Sequence, residues 1–338
     1  MKTVKNISLK NLNTFGVDVK SKYFVEINSE EELLQVLNSG EFSNHQKLIL
    51  GNGSNILFTK DFDGLVIKNS ISGIKLIDED NNTVIVEAGA GVIWEELVQY
   101  CVNRNYGGIE NLSYIPGTVG AAPIQNIGAY GQELEERFYE LNGIYIDNCK
   151  TKIFNKSECN FSYRNSIFKS ELKNKFIITS VRLKLNKNPN VNLSYNQVKE
   201  EVEKRHIKHP TIKNIREIVI DIRKSKLPDP NELGNAGSFF KNPVIIKEKY
   251  EILKEEHPEL KHFFVDEDNF KIPAAWLIEK CGWKGKRIGN TGTHKIQPLV
   301  IVNYGNASGK EMYEISTMIK NDVKKIFDIS LENEVNIL

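Results

Sequence analysis

Apolar residues along this chain recur at intervals that change from one stretch to the next, and the changes mark out the expected elements. Residues 23–27 read as a strand. Ser29 and Glu32 then form a capping box that opens a helix through Leu37, the hydroxyl and the carboxylate each answering a main-chain N–H. Stretches 47–50, 56–58, 65–68, 74–77 and 83–87 read as further strands, and a short helix covers 94–104. Strand-like runs continue from 139 to 185, notably 143–146 and 176–185, before a charged helical segment at 197–205.

A second regime begins at 226–230, where Pro228 and Pro230 make a stiff, non-helical connection. Beyond it, Pro273 stands where a first-turn proline belongs and Gly282 where a C-cap glycine belongs, bracketing a helix at 274–281. Residues 294–303 read as one strand. Ser308 and Glu311 cap a long helix with apolar positions Met312, Ile315, Ile319, Val323 and Ile326, and 331–338 alternates like a last strand returning to another sheet. A chain of 338 residues is long enough for two or three domains with their own cores.

Charge narrows the function. Lys plus Arg number 45 and Asp plus Glu 44, and the lysines are scattered among glutamates, so nucleic-acid or anionic-membrane binding is not indicated. Residues 1–13 lack the apolar core of a signal peptide and no apolar run could span a bilayer, so a cytoplasmic protein is expected. Cys101, Cys149, Cys159 and Cys281 show neither metal spacing nor a dense disulfide pattern and read as reduced; no metal is expected, His206 with His209 lacking further ligands.

The candidate chemistry lies in loops. Gly51, Asn52, Gly53, Ser54 and Asn55 follow a strand, lack the third glycine of a dinucleotide fingerprint and lead into more strand, which disfavours a Rossmann fold. A P-loop signature is absent. Taken alone, 51–55 is either a tight turn or a place where glycine backbone approaches an anion. The run 114–131 has four glycines, two prolines, two tyrosines and no charge; it reads either as a buried crossover or as a wall against a flat ring and its phosphates. Arg164 could project from a strand, suited to a carboxylate by its planar donors. Ser238, in a third glycine-rich stretch at 234–243, and Glu334, near the end, would by themselves pass for turn chemistry and a solvated charge.

Six stretches together, 13–16, 51–57, 115–131, 163–168, 235–243 and 331–335, resemble the UDP-N-acetylenolpyruvoylglucosamine reductase family, in order and over nearly the whole chain. The resemblance implies an α+β fold of three domains. Residues 1–72 with 329–338, and 73–222, would form an FAD-binding unit of the vanillyl-alcohol-oxidase type, and 223–328 a UDP-sugar-binding domain. It also implies reduction of UDP-N-acetylglucosamine-enolpyruvate with NADPH as reductant, by a monomer. Segments 192–195 and 226–230 resemble the form with an extra loop whose tyrosine covers the substrate, here Tyr195.

By the same resemblance Ser238 is the proton donor, and Arg164 and Glu334 stabilise the enolic intermediate. The cofactor positions are Gly51, Asn52, Gly53, Ser54, Asn55, Ile115, Pro116, Gly117, Thr118, Gly120, Ala121, Ile124, Gly128, Tyr130 and Arg164. Tyr130, Tyr195, Lys226, Asn242 and Gln297 would hold the sugar nucleotide. The chain departs from the pattern at Asn336, where the family commonly has a basic residue, and at Ala121 and Ala122, where hydroxyl residues are frequent. A flavin oxidase of the same superfamily is the rival; such enzymes often tether the flavin through His or Cys, which the glycine loops lack.

Overall fold

The computed structural model describes residues 2–338, and the chain divides into two compact units. Unit one comprises Met1–Ile7, Lys20–Gly53 and Phe62–Ser225; unit two comprises Ser8–Val19, Ser54–Asp61 and Lys226–Leu338. Helix and strand are mixed throughout, an α+β fold.

In unit one, strands Val4–Ser8, Lys20–Ile27, Phe62–Asn69 and Gln46–Leu50 lie side by side in that order, the last three parallel. Helix α1 (Glu30–Asn38) covers this sheet with Leu33 and Val36. Ser29 caps it as expected, but the carboxylate of Glu32 reaches back to the N–H of Asn28 rather than of Ser29. An antiparallel sheet follows in the order Thr151–Asn155, Phe138–Tyr145, Phe176–Asn186, Thr83–Gly89, Ile74–Glu79. Ile144 and Ile177 from one of its faces join the core under α1, while Val84, Val86, Leu183 and Leu185 pack against α2 (Trp94–Asn103).

Helix α3 (Asn196–Lys204) matches its expected place, and α4 (Ile212–Lys226) was not foreseen, although Ile212, Ile215, Ile218, Val219 and Ile222 recur at helical intervals and are all buried. At roughly 1.5–3 kcal/mol for each large apolar side chain taken from water, that stripe is ample reason for the helix. The lysines and arginines between the stripe positions masked it.

Unit two holds the antiparallel sheet Gly234–Ser238, Val300–Asn303, Thr291–Thr293, Arg287–Ile288 and a three-stranded sheet of Val244–Ile246, Asn269–Lys271 and Phe263–Phe264. Of the strand expected at 294–303 only Val300–Asn303 is one; it pairs with Thr291–Thr293, and between them the chain turns, His294 giving its N–H to the Val300 carbonyl at 2.8 Å. Helix α5 (Lys247–Glu256), dominated by charge, was also not foreseen. Before α6 (Ala274–Lys280), Pro273 stands at the N-cap and not inside the first turn.

Helix α7 (Gly309–Phe327) carries the full capping box of Ser308 and Glu311. Its buried stripe ends on Phe327, while Ile326, expected inside, is 57% exposed. Of the tail expected to be a strand at 331–338, only Asn336–Ile337 is one, pairing in parallel with Ile56–Leu57. No helix is long and apolar enough to cross a membrane among the described residues.

Candidate active site

The uncharged run 114–131 is a wall with one edge in the core. Val119, Ala122 and Ile127 are buried in the cluster beside the five-stranded sheet, and the N–H groups of Val119 and Gly120 donate to the carbonyls of Val92 and Ala90 at 2.8 and 2.9 Å. Around these anchors Pro116, Ala121 and Ile124 are exposed. The first glycine loop lies directly on the wall: a Cβ built on Gly51 would stand 2.5 Å from Thr118 Oγ1, so only glycine permits the approach. The ammonium of Lys68 donates to the Gly51 carbonyl.

Arg164 is not on a strand. Ser162 and Asn165 exchange N–H···O bonds of 3.1 and 3.0 Å, and Arg164 sits at the tip of this turn with φ 53°. Left-handed backbone costs a non-glycine residue about 1–2 kcal/mol, so neighbours must hold it. Asn126, fully buried and itself at φ 44°, does so with its amide nitrogen, which donates to Glu133 at 3.0 Å, Glu135 at 3.1 Å and the Ser162 carbonyl at 3.3 Å. Ser166 Oγ donates to the Ile124 carbonyl at 2.7 Å. The guanidinium itself bonds the Gly128 carbonyl and lies 3.8 Å from Glu133. Asn126 and Glu133 escaped the sequence reading, where the only clue was the three acids Glu133, Glu135 and Glu136 just after an uncharged run.

At the other end of the run the ring of Tyr130 meets Tyr195 edge to face, centroids 5.2 Å apart. Segment 192–195 is pinned there: Asn192 Nδ2 donates to the Gly131 carbonyl at 2.9 Å, and Asn111 Nδ2 to the carbonyls of Tyr130 and Asn192 at 2.9 and 3.1 Å. Burial raises both tyrosine hydroxyls above their ordinary value, and at Tyr130 the Arg223 guanidinium pulls back. Arg223, from the unforeseen α4, also donates to the Tyr114 carbonyl at 2.9 Å, while Glu95, paired with Arg216, takes the Tyr114 N–H. One helix thus fixes both ends of the wall. Lys226 closes that helix, its ammonium lowered by burial.

Unit two positions its candidates by main chain. Asn235 stands opposite Val302 and Ser238 opposite Val300, so two residues face one and the strand bulges. Gly237 takes φ 69° in the bulge and gives its N–H to Asn235 Oδ1 at 2.9 Å. Next to Ser238, the Phe239 carbonyl accepts the N–H of Glu334 at 2.8 Å, and Lys241 donates to Glu332 at 2.9 Å, which brings the last residues of the chain alongside Ser238.

Asn336 is no vacancy: its N–H and amide nitrogen both donate to the Asn55 carbonyl at 3.2 and 3.0 Å, and Asn55 Nδ2 returns to the Glu334 carbonyl at 3.3 Å. Gln297 lies in the turn before Val300, its carbonyl taking the Val300 N–H at 3.0 Å. Burial, helped by Lys295, lowers the neighbouring His294 imidazole. Asn242 Oδ1 is committed to capping α6 through the Ala274 N–H at 2.9 Å.

This composition suits a flavin nucleotide. An uncharged wall of small residues offers a ring surface, the close backbone at Gly51 offers main-chain groups, and the half-buried ammonium of Lys68 stands against the Gly51 carbonyl. Residues 21–141 match the model of the FAD binding domain family, and with the α+β fold this defines an FAD-containing oxidoreductase. Residues 229–338 match the C-terminal domain of UDP-N-acetylenolpyruvoylglucosamine reductase.

The chain is 49% identical to the UDP-N-acetylenolpyruvoylglucosamine reductase of Flavobacterium johnsoniae, over 100% of both chains. It is 49% identical to that of Amoebophilus asiaticus, over 99% of this chain and 98% of the relative. It belongs to the UDP-N-acetylenolpyruvoylglucosamine reductase family. A crystal structure of UDP-N-acetylenolpyruvylglucosamine reductase from Thermus caldophilus shares the fold, with a TM-score of 0.65 at 23% identity, covering 99% of this chain and 98% of that one.

Proposed function

We propose that this chain reduces UDP-N-acetylglucosamine-enolpyruvate to UDP-N-acetylmuramate in the cytoplasm, with NADPH as reductant. The observation that supports it most is Ser238 on a strand bulge, with Glu334 hydrogen-bonded by its main chain to the next residue. Bound FAD supplies hydride to one carbon of the enolpyruvyl double bond.

The Ser238 hydroxyl gives its proton to the neighbouring carbon; a hydroxyl is a weak acid, but it protonates so basic a carbon when held in contact. Arg164 presents its guanidinium to the carboxylate on which charge develops, and Glu334 holds the enolic group by hydrogen bonding. Tyr130, Tyr195, Lys226, Asn242 and Gln297 position the diphosphate and sugar, Asn242 through its amide nitrogen. In the same reading 1–72 with 329–338 and 73–222 serve the flavin nucleotide, and 223–328 serves the UDP-sugar.

The test is optical. Purified protein without air should be yellow, bleach on NADPH, and regain its colour on adding the enolpyruvyl sugar nucleotide, with one product formed per flavin. Colour that returns only with oxygen would favour an oxidase and sink the proposal.

A further inference from the structure

Lys68 lies in the strand Phe62–Asn69, between the parallel strands Lys20–Ile27 and Gln46–Leu50. Its ladder partners are Glu26 on one side and Leu50, the residue just before the glycine loop, on the other. Glu26 is exposed and takes the hydroxyl of Ser70 at 2.6 Å, and no ion pair joins it to Lys68 among the described residues. The ammonium turns the other way, to the carbonyl of Gly51. An ammonium carries three donors, and among the described residues this one, half-buried, meets a single neutral acceptor. Burial accordingly lowers it below the ordinary lysine value, with Glu26 offsetting part of the effect.

A half-buried cation answered only by a carbonyl is costly to keep charged unless an anion completes its surroundings. Neither 51–55 nor 114–131 contains a charged residue, so any charge that neutralises phosphates there comes from beside these loops. Lys68 is a cation bonded to the first residue of the 51–55 loop. We propose that Lys68 is a cofactor-binding residue, the electrostatic anchor for the pyrophosphate of FAD at the 51–55 loop. The assignment rests on the reading that this loop holds the phosphates of the flavin nucleotide.

The experiment strips the flavin and titrates the apoprotein with FAD and with riboflavin, which has the ring but no phosphate, following flavin fluorescence at low and moderate salt. Lys68→Met should weaken FAD binding by about tenfold to a hundredfold, the scale of a hydrogen bond to a charged group, and flatten its salt dependence. Riboflavin affinity should stay within about twofold, and Lys68→Arg should recover most of the loss. Thermal unfolding of each apoprotein shows whether the variants fold. Unchanged FAD affinity in Lys68→Met overturns the proposal. Equal loss of FAD and riboflavin also overturns it, by making Lys68 a prop for Gly51. If the parental apoprotein binds both flavins equally, the phosphate-loop reading itself fails, and the role of Lys68 falls with it.

Discussion

The two compact units position their candidate residues by opposite means. In unit one Arg164 hangs on side chains, those of Asn126, Glu133 and Ser166, and left-handed backbone falls on Tyr114, Asn126, Tyr130 and Arg164 as well as on Gly117 and Gly131. In unit two Ser238 and Glu334 are placed mainly by main-chain bonds between a bulged strand and the tail, with the Asn235 and Asn55 side chains adding to them, and the left-handed position in the bulge is a glycine. A main-chain scaffold survives changes in the side chains it carries, because every residue brings the same N–H and C=O. A side-chain scaffold does not. Substitution in unit two should therefore separate chemistry from folding, and substitution in unit one should disturb both.

Ser238→Ala gives the largest expected effect. Reduction of the enolpyruvyl ether should fall by about three orders of magnitude while flavin reduction by NADPH and the thermal midpoint stay near parental, since the bulge needs no hydroxyl. Stopped-flow measurement of the two half-reactions decides it; equal loss in both would make Ser238 structural. Glu334→Gln keeps the main-chain bond to Phe239 and deletes the charge, so the folded, yellow protein should reduce substrate about a hundredfold more slowly. A near-parental rate would return Glu334 to the surface charges.

In unit one Asn126→Ala removes a buried amide that joins three segments and should cost roughly 1–3 kcal/mol in denaturant unfolding, together with activity. If stability holds while activity falls, the contrast between the units is wrong. Tyr195→Phe retains the ring against Tyr130 and removes one hydroxyl, so UDP-sugar affinity measured by titration should drop by roughly 0.5–1.5 kcal/mol at constant flavin content. Unchanged affinity would take Tyr195 out of the lid role.

The smallest effect concerns Glu110, buried just before the wall and accepting the Gly108 N–H at 2.6 Å. Burial raises its carboxyl above the ordinary value of 4.5, outweighing the N–H bonds and Arg137. The folded state thus favours the protonated form, and that stabilisation is full below about 4.5 and is lost as pH rises through the folded value. Glu110→Gln, which cannot ionise, should gain stability relative to the parent across that window. Parallel pH profiles of the urea midpoint would contradict it.

Much of this protein was legible in its sequence, because caps and patterns are local. Ser308 with Glu311 opened α7, the glycine stretches marked the loops, and the order of the motifs carried the family. Where long-range packing decides, the sequence was silent or misleading. It hid α4 behind its charges, began the strand Val300–Asn303 six residues too early, and allowed Arg164 a strand when a turn held by Asn126 carries it. Glu334 is brought beside Ser238 by a hydrogen bond from its N–H to the Phe239 carbonyl, distant in sequence and made by groups that every residue possesses. No residue type announces such a bond, and only the tertiary fold selects it.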